Sequence, residues 1–159
     1  MEIKEVAPFT VISHSIRTTL ATIMEDAGNL PELIAKDAEK EGLKITGPNM
    51  WIYDGADGDP KKEYTLEIAY PIASAEGYDG KYACRELPAY LCLSGLHLGS
   101  FESIEQTYKE LAEEAGRHGY IPNGWSRETY FNWVDNYSLE NKAEIQLGIV
   151  AVPKEEQTV

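Results

Sequence analysis

An internal duplication is the strongest constraint on what this chain can fold into. Lys4 to Ser13 aligns without a gap on Arg85 to Ser94 at an offset of 81, with charged, apolar and serine positions largely coinciding. Further on the offset becomes 77: Gly42 meets Gly119, Gly47 meets Gly124, Tyr53 meets Tyr130, Glu63 meets Glu140, Glu67 meets Glu144, Ile68 meets Ile145 and Ile72 meets Ile149. The change falls where each copy reads as helix, so a helix one turn longer in the first copy absorbs it without disturbing the strands. The repeats cover about 1–75 and about 81–153. A chain of 159 residues is near the usual size for one core, so 1–159 is expected to form a single domain.

Within each copy the pattern reads β-α-β-β. The opening strands, Glu5 to Ser13 and Arg85 to Ser94, are rich in β-branched, aromatic and apolar residues. In the first copy Leu20, Ile23, Met24, Ala27, Leu30, Leu33, Ile34 and Ala38 recur at helical spacing, and Gly28-Asn29 with Pro31 are expected to kink or divide that helix. In the second, Phe101, Ile104, Tyr108, Leu111 and Ala115 make the stripe, Ser103 and Gln106 fit a capping box, and Gly119 fits a C-terminal stop. Glu102, Glu105, Glu110, Glu113 and Glu114 read as its solvated face. Closing strands follow at Asn49 to Tyr53 and Tyr64 to Ile72, then at Trp125 to Trp133 and Ala143 to Val150. The Asp54 to Pro60 connection lacks the ligand spacing of a calcium loop and reads as a hairpin loop. The pattern predicts an α+β fold. A mostly antiparallel sheet carries two main helices on one face, with pseudo-twofold symmetry and a central ligand groove where the copies meet.

Charge bounds the partners. A formal net charge of −13 repels phosphate backbones and anionic membranes, which argues against direct nucleic-acid binding. No apolar run approaches a membrane span and the first residues lack a secretory pattern, which points to the cytoplasm. The sequon Asn136-Tyr137-Ser138 then meets no glycosylation machinery. Cys84 and Cys92 read as lying on one strand, roughly 26 Å apart at strand rise, well beyond the reach of a disulfide. They are expected to be reduced apolar fillers, with a reactive thiol as the alternative.

Strand parity sorts the chemistry-bearing residues. Ser126, Glu128, Tyr130 and Asn132 point one way, and Trp125, Arg127, Thr129, Phe131 and Trp133 the other, where core packing is the expected role of the two tryptophans. Across the repeat Glu128 corresponds to Trp51 and Tyr130 to Tyr53. One copy thus offers a stacking wall and the other an ionic anchor for a flat or quaternary cation. The alternative is that Trp51 and Tyr53 are plain core aromatics and Glu128 a solvated edge residue. Glu67 and Glu144 form a second symmetric pair, read as solvated sheet positions, or alternatively as further carboxylate near the pocket. His14, His97 and His118 have no metal-like spacing, and the chain has no serine elbow, phosphate loop or dinucleotide fingerprint. Neither cofactor nor metal is implied.

Gly47-Pro48-Asn49-Met50-Trp51-Ile52-Tyr53, His97-Leu98-Gly99-Ser100-Phe101 and Glu128-Thr129-Tyr130 followed by Ala143-Glu144-Ile145 resemble the GyrI-like small-molecule-binding family. That family includes effector-binding domains of multidrug-responsive transcription regulators and free-standing relatives. The resemblance implies a concave sheet whose groove accepts bulky hydrophobic or cationic aromatic compounds. Its pocket glutamate maps onto Glu128 and its groove aromatics onto Trp51, Tyr53 and Tyr130. Met50, Tyr90, Phe101 and Glu144 complete the expected ligand-binding set. Phe101 stands where the family commonly has tyrosine, so a hydroxyl is exchanged for a plain ring. The resemblance leaves two alternatives to a broad-specificity binder. One is a hydrolase opening cyclopropane-bearing genotoxins, with Glu128 as general base and Tyr130 or Tyr53 orienting substrate. The other is a protein-interaction module of gyrase-inhibitor type. A protein partner or a homodimer stays open. No helix-turn-helix is read ahead of the first strand, so a regulatory role is expected to need a partner chain.

Overall fold

Proline has no backbone N–H and cannot sit inside a central ladder, yet Pro8 and Pro88 fall within the two expected opening strands. The computed structural model describes residues 1–153, so 154–159 of the expected domain lie outside the described residues. In it each opening segment is two strands rather than one: β1 (Glu2–Val6) and β2 (Phe9–Thr18), then β5 (Ala83–Leu87) and β6 (Tyr90–Leu98). The break lets the first strand of each copy leave its own repeat. β1 pairs with β6 and β5 with β2.

The closing strands are β3 (Met50–Asp54), β4 (Tyr64–Pro71), β7 (Tyr120–Asn132) and β8 (Lys142–Ala151). All pairings are antiparallel, giving one eight-stranded sheet in the order β1-β6-β8-β7-β3-β4-β2-β5. Replacing every strand by its equivalent in the other copy reverses this order onto itself. The pseudo-twofold axis therefore runs between β3 and β7, where Trp51 lies directly opposite Glu128.

The first copy's helical segment divides as expected, into α1 (Ile23–Ala27) and α2 (Leu30–Lys40), at Gly28, whose φ of 52° is the left-handed region that favours glycine. In the second copy a 3₁₀ turn at Phe101–Ser103 leads into α3 (Ile104–Arg117). The expected capping box at Ser103 is not formed. Because the 3₁₀ turn starts the helical path three residues earlier, Ser100 is the cap: its Oγ accepts the Glu102 N–H at 3.2 Å, while Ser103 Oγ donates back to the Ser100 carbonyl. Ile34 and Ala38 of α2 pack on Leu66 and Ile68, and Leu111 and Ala115 of α3 pack on Ile145, Leu147 and Ile149. Each leucine or isoleucine among them, taken fully out of water, contributes about 1.5–3 kcal/mol, and each alanine about 0.8 kcal/mol or less. A third cluster, Val11, Met50, Ile52, Ala69 and Leu87, covers the opposite face of the sheet.

Glu67 and Glu144 are not solvated. Ser13 donates to Glu67 Oε2 at 2.6 Å and Arg85 Nε donates to the same oxygen at 2.8 Å, with Arg85 Nη2 on Oε1. In the other copy Ser94 and Lys4 donate to Glu144 Oε2 at 2.7 and 2.9 Å. Each cation comes from the exchanged strand, so the duplicated triad staples the swapped ladders. Burial pushes both carboxyls up, and the donors outweigh it, leaving both below the usual range. Cys84 on β5 and Cys92 on β6 stand on separate strands, not one, and both are free thiols. Among the described residues no helix is long and apolar enough to cross a membrane.

Candidate functional site

Alternation along β3 and β7 turns Trp51 and Tyr53, and Ser126, Glu128 and Tyr130, toward the helical face beside the pseudo-twofold axis. The helices leave that axis uncovered, because α2 packs over β2 and β4, and α3 over β6, β7 and β8. The gap is a groove of about 1260 Å³. Leu20, Ile23 and Met24 form one wall, and Phe101, Ile104 and Tyr108 the other.

Glu128 lies at the floor, 5% exposed. Tyr130 donates to its Oε1 at 2.6 Å and Tyr53 to the same oxygen at 3.3 Å, while Tyr108 of α3 donates to Oε2 at 2.5 Å. Burial pushes this carboxyl above its ordinary range, and the three hydroxyls partly offset the shift. The same burial, with the neighbouring carboxylate, holds the three phenols well above their usual value, so they stay neutral donors.

The aromatic wall is built to hold its shape. Trp51 Nε1 donates to Asn49 Oδ1 at 2.8 Å, and Asn49 Nδ2 donates to the Ala69 carbonyl. The indole meets Tyr130 edge-on, with centroids 5.7 Å apart at 86°, and Phe101 stands 5.9 Å from Tyr130. His97 supports Phe101 from behind at 5.5 Å. Its Nε2 donates to the Ser100 carbonyl at 2.9 Å, and its Nδ1 lies in hydrogen-bond contact with the Thr107 hydroxyl at 2.7 Å. Buried and doubly satisfied, His97 is a buttress.

Of the expected binding residues, Trp51, Tyr53, Phe101, Glu128 and Tyr130 line this groove, and Met50, Tyr90 and Glu144 do not. Met50 alternates with Trp51 and so points into the core on the opposite face. Tyr90 also lies on that face, its hydroxyl donating to the Gln146 carbonyl at 2.8 Å. Glu144 is engaged by Lys4 and Ser94. The tryptophans are not core residues: Trp125 is 40% and Trp133 46% exposed. Trp133 follows the end of β7, beyond a register shift between Tyr130 and Asn132, which releases it from strand parity and brings it to the groove.

Three features were not anticipated. Tyr108 belongs to the apolar stripe of α3, and only its phenol distinguished it from core. Glu102 and Glu105, read as solvated, border the groove with Glu32 and Asp57, giving it an acidic rim. The Asp54 to Pro60 loop contributes Ala56, Asp57 and Gly58 to the groove. Among the described residues no three His, Cys, Asp or Glu side chains are placed to hold a metal ion.

The model of the GyrI-like small molecule binding domain matches residues 1–150. Among solved structures, the EcmrR C-terminal domain is similar at a TM-score of 0.76 and 20% identity, over 95% of this chain and 97% of that one. SAV2435 bound to tetraphenylphosphonium is similar at 0.60 and 15%, over 94% of each chain. A hydrolase encoded by lin2189 from Listeria innocua is similar at 0.62 and 9%, over 94% and 91%. No curated protein matches the chain by sequence.

Proposed function

The chain belongs to the GyrI-like small-molecule-binding domain family, and on that premise we propose that its groove binds bulky amphipathic organic cations, with Glu128 as the anionic anchor and Trp51, Tyr53, Phe101 and Tyr130 as the stacking surface. One observation carries this reading: a buried carboxylate at the floor of an apolar groove, held by three phenol hydroxyls. Hydroxyl donors favour the ionised form, while the dry surroundings keep its field unscreened, and aromatic faces attract the same charge. Apolar walls with few directional contacts suit a range of ligands rather than one. The likeness to a protein solved with tetraphenylphosphonium is consistent with a ligand of this kind.

Titration with a fluorescent lipophilic cation tests the assignment. Glu128→Gln and Trp51→Ala are each expected to weaken binding roughly 10–100-fold. Wild-type affinity in both variants sinks the site.

The second reading, a hydrolase opening cyclopropane-bearing genotoxins, draws on one geometric fact. Among the described residues Oε2 of Glu128 takes a hydroxyl only from Tyr108, which leaves a lone pair for a water, and its raised basicity suits a general base. Against it, Tyr53 and Tyr130 already donate to the carboxylate and must leave it to serve a substrate. Product analysis after incubation with a cyclopropane-bearing alkylator separates the readings, since a binder returns the compound intact.

A further inference from the structure

Glu128 has a neighbour that points the other way. Arg127 is only 4% exposed on the face of the sheet opposite the groove, and it occupies the position that the duplication fills with Met50 in the first copy. Its guanidinium lies 4.0 Å from the Tyr90 ring centroid and 5.9 Å from that of Phe9. These two aromatics are equivalent across the repeat. The duplication is thus broken at adjacent residues on both faces of β7: an anion on one, a cation on the other.

This cation is under-satisfied. Nη2 donates to the Pro88 carbonyl at 3.5 Å, the limit of a hydrogen bond, and Nη1 is buried with no acceptor among the described residues. Leaving a charged donor buried and unpaired is costly, and native structures rarely do so without reason. Nearby Arg85 is committed to Glu67. Both arginines line a cavity of about 270 Å³, and among the described residues no carboxylate lines it. Its remaining walls are chiefly apolar: Ile52, Leu87, Pro88, Tyr90 and Trp125.

We infer that this cavity is a second ligand site, which takes a small carboxylate with a flat apolar body through the guanidinium of Arg127, whose unpartnered Nη1 lies buried at its wall. The volume limits the ligand to about ten heavy atoms, below the size of a drug-like compound. A small turn of the guanidinium brings the buried Nη1 to the cavity, where the carboxylate supplies the acceptor it lacks, as a charge-assisted bond in dry surroundings. The apolar body lies against Ile52, Leu87 and Trp125. Burial pulls the guanidinium below its ordinary pKa, and it remains a cation at neutral pH. The site is independent of the cation groove, because it lies on the other face and uses none of the same side chains.

Sodium benzoate is the probe, followed by calorimetry and amide NMR shifts on the whole chain. The expected result is a Kd at or below about 1 mM, with shifts at Ile52, Leu87 and Trp125. Benzyl alcohol, which keeps the ring and loses the charge, is expected to bind at least about tenfold more weakly, as is inorganic phosphate, which has charge and no apolar body. Arg127→Met installs the residue found in the other repeat and is expected to cost at least about tenfold in benzoate affinity while leaving lipophilic-cation affinity unchanged. Trp125→Ala removes a half-exposed wall, so it decides the matter if Arg127→Met fails to fold; the expected loss is about fivefold. No benzoate binding to the wild type overturns the site. So do full affinity in the substituted proteins, equal binding of phosphate or alcohol, or shifts confined to Tyr53, Tyr108 and Tyr130.

Discussion

At the scale of the residue, the proposed anchoring role of Glu128 sets function against stability. Its folded pKa is raised by burial. Its contribution to stability is therefore fully present below the unfolded-state value and is lost as pH rises through the folded one. At neutral pH the buried anion is a cost. Glu128→Gln should accordingly melt at the same temperature as the wild type or higher by calorimetry, while losing cation affinity; a clearly lower Tm means that the three hydroxyl bonds outweigh desolvation. Binding of a cation follows the opposite sign, since it needs the ionised form. Affinity should fade as pH falls through the raised pKa, beginning above the ordinary carboxylate range. Tyr108→Phe removes the hydroxyl that donates to Oε2, so the carboxyl should move further up. The midpoint of a pH titration of dye binding is expected to shift upward, with affinity at neutral pH lowered roughly 3–10-fold. An unmoved midpoint shows that Tyr108 only fills space.

At the scale of the element, the exchanged strands are what local pattern leaves unread. Pro8 and Pro88 mark where a ladder must break, but they do not say which neighbour the freed strand finds, because strand pairing is not a local property. The division at Gly28 was legible, since a single backbone conformation decides it. The cap at Ser100 was not, because a 3₁₀ turn shifts the helix start by three residues. Parity failed for Trp133 for a similar reason: it holds only to the end of regular pairing. The staples across the swapped strands can be ranked. The Glu67 side chain is 8% exposed and its partner Arg85 43%, against 19% and 35% for Glu144 and Lys4. Removing the cation strands the more buried carboxylate in the first case. Arg85→Ala should cost about 2 kcal/mol, less than a fully buried pair because solvent screens the arginine, and Lys4→Ala under about 1 kcal/mol. Both glutamates have lowered folded pKa values, so their contribution is present above the unfolded pKa and lost as pH falls through the folded one. Urea unfolding should therefore show the penalty of Arg85→Ala at neutral pH and its disappearance in acid; a penalty that persists in acid assigns it to lost packing instead.

At the scale of the molecule, the duplication carried the most information, because a repeat constrains a whole sheet order while a motif constrains one turn. It put Trp51, Tyr53, Glu128 and Tyr130 on equivalent faces, and the groove lies on the axis that relates them. The wider binding set expected from the resemblance misplaced Met50, Tyr90 and Glu144, since membership of a motif or an equivalent strand does not fix which face a side chain takes. Charge acts at this scale too. The net charge is −13, and Glu32, Asp57, Glu102 and Glu105 border the groove, so a cation approaching it is drawn in from beyond contact distance. That attraction reaches about 30 Å at 0.01 M salt and about 3 Å at 1 M. The proposed contact of that cation with the buried Glu128 would be shielded from salt by the walls. Rate constants separate the two effects. In stopped-flow measurements with a lipophilic cation, kon is expected to fall by roughly tenfold or more between those salt concentrations, while koff changes by less than about twofold. A koff that carries most of the salt dependence places the decisive charges on the solvated rim and takes the anchoring role away from Glu128.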